Sequence, residues 1–456
     1  MTTQAAVPSP ETELPPAPPI AEPPFPARKH ALWLLAVLTM LNIASTIDRQ
    51  ILALIVDDVK QDLLITDFQI SLLQGMTFAL FYTVFGLPFG WAADRYSRPR
   101  VIFIGVTIWS IAASACGLAQ KFWQLLLARI GVGIGEAALS PAAYSLISDS
   151  FPRQRMAFAL SIYSAGGAIG SAASLAIGGI LVGILPFTIT GIPFFETMSR
   201  WQVIYIVTGL PCLLLGWLIF TVRDPIRRGI AGLAKTRGGA GALVARKWKF
   251  FTPHFVGFGL YSMCGYGIMI WTPAYMNRVF EWDMAIVGPL SALMMMTGVF
   301  GGAALGATAD RWFGKGRKDA HMRIYAIAAL VQPMIVLLAI SVNNPYAFII
   351  LYGCYHIMSS FTGVAAAALH LVTPNEYRGQ VSAFFLLVFN ILGLGLGPSA
   401  VAFLTTYVYA DPLMVGWSIA TVFLIVMPIA SLLLWLGCGP MRREVEEMEQ
   451  IQMQAA

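Results

Sequence analysis

Charge is the scarcest commodity in this chain. Of its 456 residues only 11% are Asp, Glu, Lys or Arg, against 57% that are hydrophobic, whereas an average soluble domain is about one quarter charged. That excludes an ordinary water-facing surface. The five cysteines (116, 212, 264, 354 and 438) show no ligand-type spacing, which excludes a disulfide framework or a metal site and leaves them as packing residues. No G-x-x-x-x-G-K-[ST] occurs, since "GKGRKD" has the wrong order, and neither "GVGIGE" nor "GLGLGP" is a G-x-G-x-x-G after a strand. ATP-driven chemistry therefore has no support. With no H-E-x-x-H and no Ser-His arrangement, an intramembrane hydrolase has none either, and no enzymatic activity, cofactor or metal is expected. The first 27 residues lack the basic start and apolar core of a signal peptide, and residues 1–30 read as a disordered, Pro-rich cytoplasmic tail.

Long apolar runs are abundant. Twelve segments, near 31–59, 68–93, 99–118, 122–149, 155–185, 201–222, 250–280, 284–310, 322–343, 345–373, 378–409 and 412–437, can each cross a hydrocarbon core of about 30 Å at 1.5 Å per residue. The expected fold is an all-α membrane protein. An even number of spans puts both termini on one side, and loop charge chooses the side. With cytoplasmic termini, 23 of the 29 Lys and Arg lie in the cytoplasm, four lie opposite (Lys60, Lys121, Arg200, Arg278) and two lie within spans (Arg49, Arg129). The net charge of +6 is thus an orientation signal and makes no case for nucleic acid. A bacterial inner (plasma) membrane is the expected location.

The chain repeats itself. "GWAADRYSRPR" starts at Gly90 after the second segment and "GATADRWFGKGRK" at Gly306 after the eighth, 216 positions apart, and "FPRQR" after the fourth is echoed by "TPNEYR" after the tenth. Six spans have been duplicated, giving bundles over 31–222 and 250–437, a basic linker over 223–249 with eight Lys or Arg and one acid, and a cytoplasmic tail over 438–456 whose "EVEEMEQ" reads as a short exposed helix. Six plus six spans with G-x-x-x-D-R after spans two and eight resemble the major facilitator superfamily. The resemblance implies two pseudo-symmetric six-helix bundles and a conformational latch, in which Asp94 sits near another helix's N-terminus while Arg95 and Arg98 bridge to cytoplasmic groups. Gly90 opens that motif, and Asp310 and Arg311 form its weaker second copy.

Four ionisable residues stand inside the first half's spans. Asp48 and Arg49 interrupt "NIASTIDRQ", and Arg129 and Glu136 lie seven positions apart in "RIGVGIGEAALSP", a spacing of nearly two helical turns that turns both the same way. A charge at mid-membrane costs about 2.5–3.5 kcal/mol on insertion scales and marks function by default. The four are expected in one chamber, with Glu136 and Asp48 as candidates for carrying the proton, Glu136 the better one, and Asp48 more as the orienting partner of Arg49. Gly131, Gly133 and Gly135 leave room beside Glu136 for a helix or a ligand. "NIASTIDRQ", "RIGVGIGEAALSP" and "ADRYSRPR" also resemble the Spinster lipid transporters. That resemblance implies that Arg49 meets an anionic headgroup, Glu136 couples or gates, and Asp48 and Arg129 support them. In the second half, away from span ends, no Asp, Glu, Lys or Arg is found, and Trp271 and His356, with Tyr82 of the first half, are the further candidates for lining the site. Charge on one wall and apolar surface on the other suit an amphiphile. The expectation is a monomeric secondary transporter moving an amphiphilic anion by alternating access among membrane lipids, with protons as possible co-substrate. A carrier of small organic anions such as sugar acids, and a receptor that binds without transport, are the alternatives.

Overall fold

The computed structural model describes residues 25–188, 198–227, 239–374 and 377–455. Among the described residues, twelve helical segments are long and apolar enough to cross a membrane: Arg28–Leu54, Asp67–Arg95, Arg98–Cys116, Phe122–Ser150, Phe158–Ile184 and Arg200–Thr221, then Trp248–Phe280, Met284–Gly314, Ala320–Ser341, Pro345–Val372, Arg378–Val408 and Pro412–Gln450. They are called spans 1 to 12. Among the described residues no β-strand forms. In hydrocarbon every backbone N–H and C=O must be satisfied inside its own segment, which leaves helices as the solution for apolar runs of this length. Large side chains such as Leu87, Phe300 and Leu214, 79%, 77% and 72% exposed, would be costly in water and suit an apolar surrounding.

Spans 1–6 and 7–12 form two bundles with matching internal packing: span 1 packs on span 5 and span 3 on span 6, as span 7 packs on span 11 and span 9 on span 12. Between the bundles span 5 meets span 8 and span 2 meets span 11, two pairs exchanged by the pseudo-two-fold that carries span 1 onto span 7. The even count places both chain ends at one face, the terminal face.

Contacts between the bundles gather at the opposite, far face. Near the far-face ends of spans 5 and 8, a Cβ on Gly288 would lie 2.8 Å from the Gly179 Cα, so only glycine lets these backbones approach so closely. Phe68 of span 2 packs edge-on against Tyr407 of span 11 with centroids 5.6 Å apart. Arg278, at the end of span 7, reaches across to Asp57 beyond span 1 (Nε–Oδ1 2.9 Å) and grips Asp67 of span 2 with two nitrogens (2.8 and 2.9 Å). Lys60 adds a second cation to Asp67 at 2.5 Å. Counting Lys60 and Arg278 only as topology charges missed this seal between the bundles.

One expectation about the chain ends changes, and another falls outside the described residues. The Pro-rich tail lies, up to residue 24, outside the described residues, as do linker residues 228–238 and Asn375 and Glu376 of "TPNEYR". The acidic end forms no separate helix: the final helix runs unbroken over Val415–Ala455. Glu444 pairs with Lys247 and Glu449 with Lys318, so the linker's end and the loop before span 9 hold it in line.

Candidate functional site

The first helix of span 1 ends at Gln50 and tightens into a 3-10 turn over Ile51–Leu54. The last carbonyls of a helix have no partner within it, and at this depth no water replaces one. Arg129, fully buried, supplies the donors. Its Nη1 and Nη2 donate to the carbonyls of Asp48 and Arg49 (3.3 and 3.4 Å), and its Nε to the carbonyl of Leu73 (3.1 Å), which sits in a π-helical turn of span 2, Leu72–Met76. Expected in the chamber, Arg129 instead spends its guanidinium on backbone.

Glu136 faces the same helix, as the seven-residue spacing requires, and it meets Arg49. The Arg49 Nη2 and Nε donate to one oxygen, Glu136 Oε2, at 2.5 and 3.2 Å, and the Ser45 hydroxyl donates to that oxygen at 2.8 Å. Glu136 Oε1 is buried without a hydrogen-bond partner. The helix of span 4 stops at Glu136 and restarts at Leu139, a break that lets the carboxylate leave the helix wall. The neighbouring glycines admit helices: a Cβ on Gly133 would lie 3.2 Å from the Phe78 carbonyl of span 2, and one on Gly135 would lie 2.7 Å from the Gly105 carbonyl of span 3.

Arg49 remains 21% exposed along its side chain while its partner is fully buried. Glu136 occupies the Nε edge of the guanidinium, and the Nη1 end, two of the five donors, has no partner among the described residues. The guanidinium carbon lies over the Phe78 ring, 4.5 Å from its centroid, and 5.5 Å from the Tyr82 centroid. Tyr82 is half-buried beside the pair, its hydroxyl 3.1 Å from the Ser140 Oγ.

Asp48 does not orient Arg49. It is buried on another side of span 1, where Cys212 of span 6 donates to its Oδ2 at 3.4 Å, and its Oδ1 has no partner. The reason is helical: successive side chains lie about 100° apart, so neighbours cannot both face one chamber. Trp271 is likewise a packing residue. It is fully buried and its indole N–H donates to the Pro398 carbonyl at 3.0 Å, tying span 7 to span 11. His356 is buried against Tyr352, with centroids 4.4 Å apart, and its Nε2 has no partner.

At the terminal face, Arg98 is buried and joins three segments. It pairs with Asp149 of span 4, donates from Nε to Asp224 Oδ1 (2.8 Å), and donates from Nη2 to the Pro225 carbonyl (2.5 Å). Arg95 stacks on Trp91 at 4.5 Å. Asp94 is exposed and has no hydrogen bond or ion pair among the described residues, and Gly90 merely faces Pro141. In the second copy Asp310 approaches His321 at 3.3 Å and Arg311 is exposed. A groove of about 510 Å³ lies beside Asp149 and Asp224, and another of about 300 Å³ lies beside Tyr275 and Trp417. Neither touches Arg49 or Glu136.

A charged pair buried between two repeats of six spans, whose bundles meet at the far face, is the arrangement of a membrane transporter. The sequence signature of the Major Facilitator Superfamily matches residues 38–398, and the chain belongs to that superfamily. Within it the chain resembles the Spinster proteins. It is 23% identical to protein spinster homolog 1 of Xenopus tropicalis, over 80% of this chain and 71% of that one. It is 26% identical to an MFS-type efflux pump of Mycolicibacterium smegmatis, over 92% of this chain and 95% of the pump. Its fold matches the crystal structure of a bacterial homolog of the human lysosomal transporter Spinster, in an inward-facing and unoccupied conformation, with TM-score 0.77 and 22% identity over 92% of this chain and 98% of that one.

Proposed function

We propose that this transporter carries an amphiphilic anion, of lysolipid or sphingoid-phosphate type, together with a proton, in an inner membrane with its termini in the cytoplasm. The observation that carries the reading is the half-used guanidinium of Arg49, whose Nη1 end has no partner among the described residues while its other edge is held by Glu136. An anionic headgroup fits the end formed by one N–H of Nη1 and the remaining N–H of Nη2, which run parallel and can make two hydrogen bonds to it, and the second half, with aromatic side chains such as Tyr266 and Phe389 at 6.0 Å from each other, offers apolar surface to a chain. The pair Arg49–Glu136 is neutral. An arriving anion leaves one uncompensated negative charge in a medium of low dielectric, and a proton on Glu136 restores neutrality, so anion and proton are expected to bind together. Thermal unfolding of the purified protein with lysolipids, sphingoid phosphates and sugar acids tests the substrate class, since a ligand of the folded state raises stability by mass action. Stabilisation by sugar acids alone would transfer the reading to small organic anions. Uptake into proteoliposomes separates transport from mere binding.

The Asp94 motif fits a latch for the opposite conformation. With the far face sealed, Asp94 is exposed and has no partner among the described residues, so its charge is available to a helix N-terminus brought near when the terminal face closes. Asp94→Asn is therefore expected to populate the present conformation further. Labelling of introduced cysteines from the terminal face should rise and labelling from the far face should fall; unchanged labelling at both faces rules the latch out.

A further inference from the structure

Phe78 belongs to none of the motifs above and is fully buried, so it cannot touch a substrate in the seam. Its ring is nevertheless the surface on which Arg49 lies, 4.5 Å from guanidinium carbon to centroid. Tyr82 stacks on it at 5.5 Å with the planes 24° apart, and is tied to span 4 through Ser140. The height of this shelf is set from below by Gly133, where a Cβ would meet the Phe78 carbonyl at 3.2 Å and the ring carbon Cδ2 at 3.5 Å.

We propose that Phe78 is a positioning residue for the anion site: its ring fixes the plane of the Arg49 guanidinium so that the Nη1 end, and not a face, is presented to the seam. A guanidinium is planar and rigid, and its hydrogen bonds run in its own plane. Glu136 fixes one edge, yet a single acceptor oxygen leaves the group free to swing about that contact. A ring beneath the plane removes the swing, and a cation over an aromatic face is attracted by the ring's quadrupole, more so when desolvated. Aliphatic side chains of similar volume would fill the space without holding the plane. The proposal rests on the reading of Arg49 as headgroup anchor, and deepens it by naming what aims the anchor.

Two measurements test it on the full-length protein in detergent. The first needs no ligand: a thermal-unfolding double-mutant cycle between Phe78→Leu and Arg49→Lys. Coupled effects are expected, with Phe78→Leu costing less stability in the Arg49→Lys background; additive effects overturn the shelf, because a residue that only fills space does not sense the guanidinium. The second is binding of an n-alkyl sulfonate. Phe78→Leu should weaken it roughly 2- to 30-fold, the span of a cation–π contact, Phe78→Tyr should restore it, and binding of an uncharged alkyl glycerol should not change. Equal losses for both ligands, or wild-type-like sulfonate binding by Phe78→Leu, overturn the proposal. Coupling in the cycle combined with no Arg49-dependent sulfonate binding in the unsubstituted protein overturns the anion reading instead.

Discussion

Arg49→Lys is expected to lose roughly 10- to 100-fold in affinity for an alkyl-chain anion, and Arg49→Ala to lose nearly all of it. A lysine keeps the charge, and it can keep Glu136 paired, but it supplies a point charge where the guanidinium offers a planar end with two parallel donors. Hydrogen bonds to charged groups contribute about 1.5–3 kcal/mol each, and one such bond lost accounts for the lower and upper bounds. Shortening the alkyl chain should act differently, weakening binding in even steps of up to about 0.8 kcal/mol per methylene if the second half receives the chain. Binding isotherms for a ladder of alkyl sulfonates read both effects. A small-anion carrier would show the arginine effect with no ladder, and wild-type affinity in Arg49→Lys would leave the arginine a structural bridge to Glu136.

The second large effect is expected at the far face. Arg278→Gln removes the cation that spans the bundles and leaves Asp57 and Asp67 facing each other's charge, with Lys60 as the remaining counter-ion. Removing one partner from a buried pair costs about 3–5 kcal/mol; Asp57 is 25% exposed, and screening there reduces the figure. Even a fraction of it moves the equilibrium by tenfold or more, because each 1.4 kcal/mol is a factor of about ten. A cysteine placed at Ser399, which approaches Ser71 across the seam at 3.4 Å, should then react at least about tenfold faster with an impermeant maleimide added at the far face. An unchanged rate would mean that the glycine and aromatic packing of spans 5 and 8 and spans 2 and 11 holds that face shut without the ion pairs.

The residues explain why some of this was legible in the sequence and some was not. Twelve apolar runs and a doubled G-x-x-x-D-R carry the architecture, because span length and repetition are one-dimensional properties. Arg49 and Glu136 stand out for the same reason, as charges where charge is costly. Direction around a helix is read only in part: the seven-residue spacing turns Arg129 and Glu136 alike, but the step of about 100° that separates Asp48 from Arg49 is overridden by their adjacency, which suggests a pair. What the sequence hides is distance across the fold. Nothing local distinguishes Arg129, spent on the carbonyls of Asp48, Arg49 and Leu73, from an arginine in a cavity, or Trp271, bonded to Pro398, from an aromatic at a ligand. The partners of Arg278 lie more than 200 positions away. The one available signal was chemical: Asp57, Asp58, Asp62 and Asp67 cluster where spans 1 and 2 turn, an acidic patch in need of a cation.

The central claim is that Arg49 and Glu136 form a single anion-and-proton site, and proton uptake during binding tests it most directly. An alkyl sulfonate keeps its charge across the physiological range, so any proton taken up on adding it to weakly buffered protein belongs to the protein. About one proton per bound anion is expected near the pH where the free site is deprotonated, with affinity rising as pH falls, and no uptake is expected in Glu136→Gln, whose amide cannot ionise. Binding without proton uptake by the unsubstituted protein, or the same uptake in Glu136→Gln, would contradict it.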